Sequence, residues 1–236
     1  MEAFAYFLPY LCHVFYLLAY ARSMSEIKLL IFDLDGTIND SSPGIKYCFR
    51  KTGEFYGKHD LTDEELRYGL TGPFEENIKK VLGLRDDQIP EAIDHYVEFY
   101  VREGQSMSEM FPNMNRMLHY LRDRGYVLGL ATMMVEKFAK QTLHDYGVED
   151  LFDTIHGANF TIPYTKSDLI HMCLESTGID AENAVMIGDG EDDYNASVKA
   201  GVCFIGATYG YGIDSAYCKD HNIPFIEDPV ELSKMF

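Results

Sequence analysis

The chain has 236 residues, with 20 basic and 38 acidic side chains, a net charge of −18 and a hydrophobic fraction of 47%. That length suffices for one or two domains whose core needs no disulfide or structural metal. The acidic balance excludes a nucleic-acid or anionic-membrane surface, which requires clustered Lys and Arg, and 8 Pro with 19 Gly exclude a collagenous or disordered chain.

Residues 1–23 stand apart. They hold one acid, Glu2, and one base, Arg22, and are almost continuously apolar from Ala3 to Ala21, interrupted by Pro9 and His13. A run of this length, about 19 residues, reaches the lower range of a membrane span. The mid-run Pro, the four tyrosines and the absence of any Lys or Arg ahead of the run suit neither an anchor nor a secretory signal. Met24-Ser25-Glu26 reads as a natural start just before the first strand, so the stretch is expected to be a start-site extension, and the protein cytoplasmic.

From residue 26 onward, short apolar runs alternate with amphipathic helical stretches. Ile27–Phe32, Tyr126–Ala131, Ala184–Ile187 and Val202–Ile205 read as strands, with shorter candidates at Asp153–His156 and Pro224–Ile226. Nearly unbroken apolar runs suit strands buried on both faces. Between them, Asn113–Arg124, Glu136–Tyr146, Ser167–Ser176 and Asp192–Ala200 carry a helical period. This alternation implies right-handed βαβ units, hence an α/β fold with a Rossmann-like parallel sheet and helices on both faces. Residues 40–110 break the rhythm with four helical stretches, about 44–57, 62–69, 73–82 and 88–103, and no convincing strand. They read as an inserted all-helical cap between hinges at Asp40–Gly44 and Met110–Pro112, with residues 24–39 and 111–236 forming the core. The five cysteines (Cys12, Cys48, Cys173, Cys203 and Cys218) include no C-x-x-C pair and read as buried thiols in a reducing compartment.

In such a sheet, ligands bind beyond the carboxyl ends of the strands. Asp33-Leu34-Asp35-Gly36-Thr37 follows the first strand and Thr132-Met133 the second. Lys166 precedes a later helix, and Gly188-Asp189-Gly190-Glu191-Asp192-Asp193 follows the Ala184–Ile187 strand. Two carboxylates one residue apart can divide the labour of a nucleophile and an acid, and Gly36 permits a turn whose amides approach an anion. The same pentapeptide also suits a plain turn. Carboxylates crowded at one edge need a hard cation, and Mg²⁺ held by Asp33, Asp189 and Asp193 fits that need. Glu191 and Asp192 suit the helix dipole instead. Lys166 at a helix start offsets phosphate charge or is simply solvated. Thr132 donates its hydroxyl to a phosphoryl oxygen or merely ends a strand.

Together the four pieces resemble the haloacid dehalogenase superfamily. Asp33–Thr37 matches its first motif, Thr132 the second, Lys166 the third, and Gly188-Asp189 with Asp193 the fourth. Asp33–Gly44, Leu70-Thr71-Gly72-Pro73 and Tyr209-Gly210-Tyr211-Gly212 further resemble the phosphoglycolate-phosphatase-like branch, and the helical insert resembles the superfamily's cap of the first type. The resemblance implies a Mg²⁺-dependent phosphomonoesterase of small phosphorylated metabolites. Asp33 is then the nucleophile and Asp35 the general acid and base. The metal falls to Asp33, the Asp35 carbonyl, Asp189 and Asp193, the phosphate to Gly36, Thr132, Met133 and Lys166, and substrate reading to Thr71 and Gly72 in the cap. Met133 departs from the Asn or Ser frequent at its position, and Ser167 from the frequent Pro. A sugar-phosphate mutase and a catalytically idle scaffold are the alternative readings. The histidines at 95, 119, 144 and 171 show no ligand spacing, while Met114, Met117 and the Met133-Met134 pair read as core filler.

Overall fold

The protein is described by a computed structural model over residues 26–159 and 161–236; the apolar segment 1–23, with Cys12, lies outside the described residues. Strand β1 (Leu29–Phe32) has all four side chains buried. It alternates between two cores: Leu30 and Phe32 join one hydrophobic cluster, Leu29 and Ile31 the other. A strand with no solvent face must be apolar at every position, which is why the run is continuous.

Six strands form one parallel sheet in the order β5-β4-β1-β6-β7-β8. The other five strands are β4 (Val127–Val135), β5 (Thr154–Ala158), β6 (Ala184–Gly188), β7 (Cys203–Ala207) and β8 (Phe225–Ile226), and β1 pairs directly with β4 and β6. The α/β class read from the pattern is the observed class. Strand β4 runs further than expected, through Thr132 to Val135, and its register with β5 shifts between those two residues. Thr132 therefore sits inside the strand at a point of irregularity.

In the core, α5 (Met114–Asp123) and α6 (Glu136–Asp145) cover the face of Leu30 and Phe32, and α7 (Lys166–Thr177) and α8 (Glu191–Ala200) the opposite face. A short α9 (Ser215–Asp220) follows β7. Met114 and Met117 are buried in the first face as expected, but Met133 is 51% exposed and only its neighbour Met134 packs on that cluster. Met133 is therefore not core filler: the strand's alternation turns it outward. Cys48, Cys173 and Cys218 are buried and unbridged.

Four helices lie between β1 and α5: α1 (Ser42–Phe55), α2 (Asp63–Arg67), α3 (Phe74–Leu82) and α4 (Ile89–Phe99). They share a hydrophobic cluster built on Phe49, Leu66, Ile78, Leu82 and Tyr96. Pro43 opens α1, and a Thr62–Glu65 capping box opens α2. The unit is joined to the sheet by two strands that the helical pattern concealed, β2 (Asn39–Asp40) and β3 (Glu109–Met110), which pair antiparallel. Two residues are too few to show a period of two. Beyond α4 the helix widens into a π-turn at Tyr100–Gly104. No helix among the described residues is long and apolar enough to cross a membrane.

Candidate active site

The carboxyl ends of β1 and β6 lie side by side, because the two strands pair from Leu29–Ala184 to Phe32–Ile187. Asp33 leaves β1 with its amide bonded to the Ile187 carbonyl at 2.9 Å, and Asp189 follows β6 directly. Asp193 lies in the first turn of α8, where its Oδ2 accepts the Gly190 amide at 3.0 Å. The three carboxylates are buried, with one oxygen from each within 4.8 Å of the others. Glu191 and Asp192 share that helical turn but face solvent.

Lys166, the first residue of α7, places Nζ 2.6 Å from Asp33 Oδ1 and 2.8 Å from Asp193 Oδ1. Thr165 and Asp168 cap the helix reciprocally, so its start is fixed and Lys166 is aimed at the sheet end. The cation is 8% exposed. Burial opposes its charge, but Asp193 and Asp33 outweigh that effect and hold the ammonium protonated. Burial, with Asp193 and Asp189 adding to it, pushes the Asp33 carboxyl up against the pull of Lys166. Asp189 is raised to about 7 by burial and by Asp193, although the Tyr211 amide donates to its Oδ2 at 2.7 Å. Fully ionised, three carboxylates against one ammonium carry two excess negative charges, and the raised values of Asp33 and Asp189 reflect burial together with carboxylate charge that the one ammonium leaves unbalanced. All-oxygen donors and a twofold charge deficit fit a divalent cation such as Mg²⁺.

Asp35 stands apart from this cluster. Burial raises its carboxyl above the ordinary range, with hydrogen bonding from Ser41 and then Asn39 opposing. Asn39 Nδ2 donates to Asp35 Oδ1 at 3.0 Å, and the Tyr146 hydroxyl donates to Asn39 Oδ1 at 2.5 Å. A carboxyl whose charged form is disfavoured by burial suits the acid of an acid-assisted transfer.

Gly36 takes the unusual backbone turn, with its own amide committed inside it. Its amide donates to the Asn39 carbonyl at 2.8 Å, so it closes the turn and has no proton left for a phosphate. What demands glycine there is a φ of +81° and crowding, since a Cβ would fall 2.3 Å from Asp189 Oδ2. Thr132 is 1% exposed and its Oγ1 accepts the Met134 amide at 3.1 Å, which leaves the hydroxyl proton to donate. Met133, turned outward, brings no polar side-chain atom to the site.

The Tyr209–Gly212 turn does more than a loop of tyrosines and glycines suggested. Besides the Tyr211 amide on Asp189, the Tyr211 hydroxyl donates to Asp40 Oδ1 at 2.7 Å and accepts the Ser42 amide at 3.1 Å. The Tyr209 hydroxyl donates to the Thr37 carbonyl at 2.9 Å. Gly210 admits this approach only without a side chain, since a Cβ would lie 2.3 Å from the Gly36 carbonyl oxygen. Thr71 and Gly72 are exposed at the rim; Thr71 Cγ2 lies 3.4 Å from where a Gly212 Cβ would stand. Asn77 Nδ2 donates to the Thr71 carbonyl at 2.8 Å and holds that loop in place.

An open parallel sheet with a buried lysine and carboxylates at its carboxyl edge, beneath a helical insertion, is an α/β architecture whose edge can take up a cation and an anionic ligand. Residues 30–207 match the family of haloacid dehalogenase-like hydrolases, and the chain belongs to it. It is 30% identical over 198 residues to a phosphoglycolate phosphatase of Vibrio cholerae, covering 80% of this chain and 87% of that one. It is 28% identical to a 5'-nucleotidase of Pseudomonas aeruginosa, over 81% and 90% of the two chains. Among solved structures, a haloacid dehalogenase-like hydrolase from Streptococcus pneumoniae superposes with a TM-score of 0.82 at 28% identity, covering 89% and 98%. These relatives align the chain with the phosphatases of the family, in its phosphoglycolate-phosphatase-like branch.

Proposed function

We propose that the chain is a Mg²⁺-dependent phosphomonoesterase that hydrolyses a small phosphorylated metabolite through an aspartyl-phosphate on Asp33. The observation that carries this reading is the buried triad of Asp33, Asp189 and Asp193 balanced by Lys166, with the Asp35 carboxyl, raised by burial, two residues from Asp33.

An Asp33 carboxylate oxygen attacks phosphorus, and the bond from phosphorus to the ester oxygen breaks with its electron pair leaving on that oxygen. Asp35 supplies the proton that makes the departing group an alcohol. In the second step Asp35, now a carboxylate, takes a proton from water as the water attacks phosphorus, and Asp33 departs as a carboxylate while inorganic phosphate forms. Lys166 and the Thr132 hydroxyl hold the transferring oxygens, an arrangement fixed before reaction begins. Asp33, Asp189, Asp193 and the Asp35 carbonyl would hold Mg²⁺, which supplies positive charge against the transferring phosphoryl group.

Residues 40–110 act as the cap, pivoting on the β2–β3 pair, and Thr71 and Gly72 meet the substrate from above. Phosphoglycolate and a nucleoside monophosphate, suggested by the names of the relatives, are both of suitable size, and cap side chains decide between such leaving groups by shape. Reduced thiols such as Cys48, Cys173 and Cys218 suit a cytoplasmic setting.

The test is phosphate release from p-nitrophenyl phosphate and a panel of phosphomonoesters, with and without Mg²⁺. Metal-dependent turnover that Asp33→Asn abolishes supports the reading. No release from any member of the panel, or undiminished turnover by the variant, rejects it.

A further inference from the structure

A carboxyl that acts as an acid must carry its proton on the oxygen that faces the leaving group. We propose that Asn39, aligned by Tyr146, is the positioning residue that makes this choice for Asp35. The inference rests on the reading of Asp35 as the acid.

The geometry leaves little freedom. Asn39 is fully buried. Its backbone is clamped to the loop that bears Asp35, accepting the Gly36 amide at 2.8 Å and donating to the Leu34 carbonyl at 2.9 Å. Its side-chain Nδ2 donates to Asp35 Oδ1 at 3.0 Å. An oxygen that accepts this N–H acts as the carbonyl oxygen of the carboxyl, which directs the acid's proton to Oδ2; the Ser41 side chain is a second hydrogen-bonding neighbour of this carboxyl.

An asparagine side chain has a donor end and an acceptor end of nearly equal shape. Nothing in Asn39 itself decides which end meets Asp35. Tyr146 biases the choice: its hydroxyl donates to Asn39 Oδ1 at 2.5 Å, its one side-chain hydrogen bond among the described residues, and a flip would take the acceptor from that proton. The Tyr146 ring packs on the core cluster that holds Leu118 and Leu143, which anchors it to the sheet. In the flipped state, the Asn39 carbonyl would face Asp35 and accept the acid's proton. The acid would then be aimed at the protein instead of the substrate.

A merely structural role for this pair would weaken all substrates alike. A positioning role weakens the substrates that need a proton. An alkoxide cannot leave without one, whereas p-nitrophenolate is a stable anion and hardly needs it. The experiment compares kcat/KM, which reports the first phosphoryl transfer, for p-nitrophenyl phosphate and for the best alkyl phosphate in the panel above. Asn39→Leu is expected to lower the alkyl-to-aryl ratio about tenfold or more, a part of what an acid supplies. Tyr146→Phe should lower it by a smaller factor, and the double variant should match Asn39→Leu alone because both act along one path. Equal losses on both substrates, or an unchanged ratio, overturn the proposal. If melting shows that Asn39→Leu does not fold, Tyr146→Phe, which keeps its ring packing, decides alone on the same criterion. Asp35→Asn separates the two levels: an unchanged ratio there refutes Asp35 as the acid, whereas a collapsed ratio there with none in the Asn39 and Tyr146 variants refutes only the positioning role.

Discussion

Replacing Asp189 by Asn should make the metal-free protein more stable while abolishing its activity. In the metal-free fold, burial and Asp193 move the Asp189 carboxyl from its ordinary 3.8 to about 7. A carboxyl whose folded pKa is raised imposes no cost below the unfolded value. Its cost then grows as pH rises between about 4 and 7, and is constant above. The full displacement corresponds to a ceiling of ~4 kcal/mol at alkaline pH. Asn keeps the shape of the side chain and an oxygen to accept the Tyr211 amide, now 2.7 Å from Asp189 Oδ2. It also adds an N–H that can donate to Asp33 or Asp193. If half the ceiling is realised, the variant melts about 4–8 °C above wild type in EDTA at pH 8. The assay is thermal melting of both proteins from pH 5 to 8, with EDTA and with Mg²⁺. The gap should shrink toward pH 5, and Mg²⁺ should stabilise wild type while leaving the variant nearly unmoved. A variant that melts below wild type in EDTA at pH 8, or a gap independent of pH, refutes the argument that crowded carboxylates strain the empty site.

Lys166→Met should act oppositely, lowering metal-free stability by about 3 kcal/mol, because it leaves Asp33 and Asp193 buried without their shared cation; denaturant unfolding measures this, and kcat should fall about 100-fold or more. Gly210→Ala should cost about 1–3 kcal/mol and most of the activity, since the new methyl meets the Gly36 carbonyl oxygen and the Asp189 Cβ, neither of which can swing aside. Asn77→Ala releases the carbonyls of Thr71 and Gly72; KM for a small phosphomonoester should rise several-fold with a smaller change in kcat, read from steady-state kinetics.

The elements that carry the chemistry were legible from local pattern. A strand buried on both faces must be continuously apolar, and a chain that leaves such a strand must turn polar at once. Asp33, Asp189 and the helix starts bearing Lys166 and Asp193 could therefore be located from neighbouring residues alone. The helical unit was legible for the same reason, since its apolar residues recur at helical spacing. Its two connecting strands were hidden by being two residues long. Met133 and Met134 read alike in sequence, yet the alternation of β4 sends one outward and the other onto the core.

What the chain pattern determined by itself is which groups stand at the carboxyl edge of the sheet. What only the tertiary structure decided is whom they meet. Tyr146 reaches Asn39 across 107 positions of chain and Tyr211 reaches Asp40 across 171. Gly36, read as permitting a turn whose amides approach an anion, spends its own proton on Asn39 and has no side chain to crowd Asp189. The physical reason is one of range. Periodicity and capping are set by residues three or four positions away, whereas hydrogen bonds among buried polar groups form between whichever donors and acceptors packing brings together, and leave no local trace.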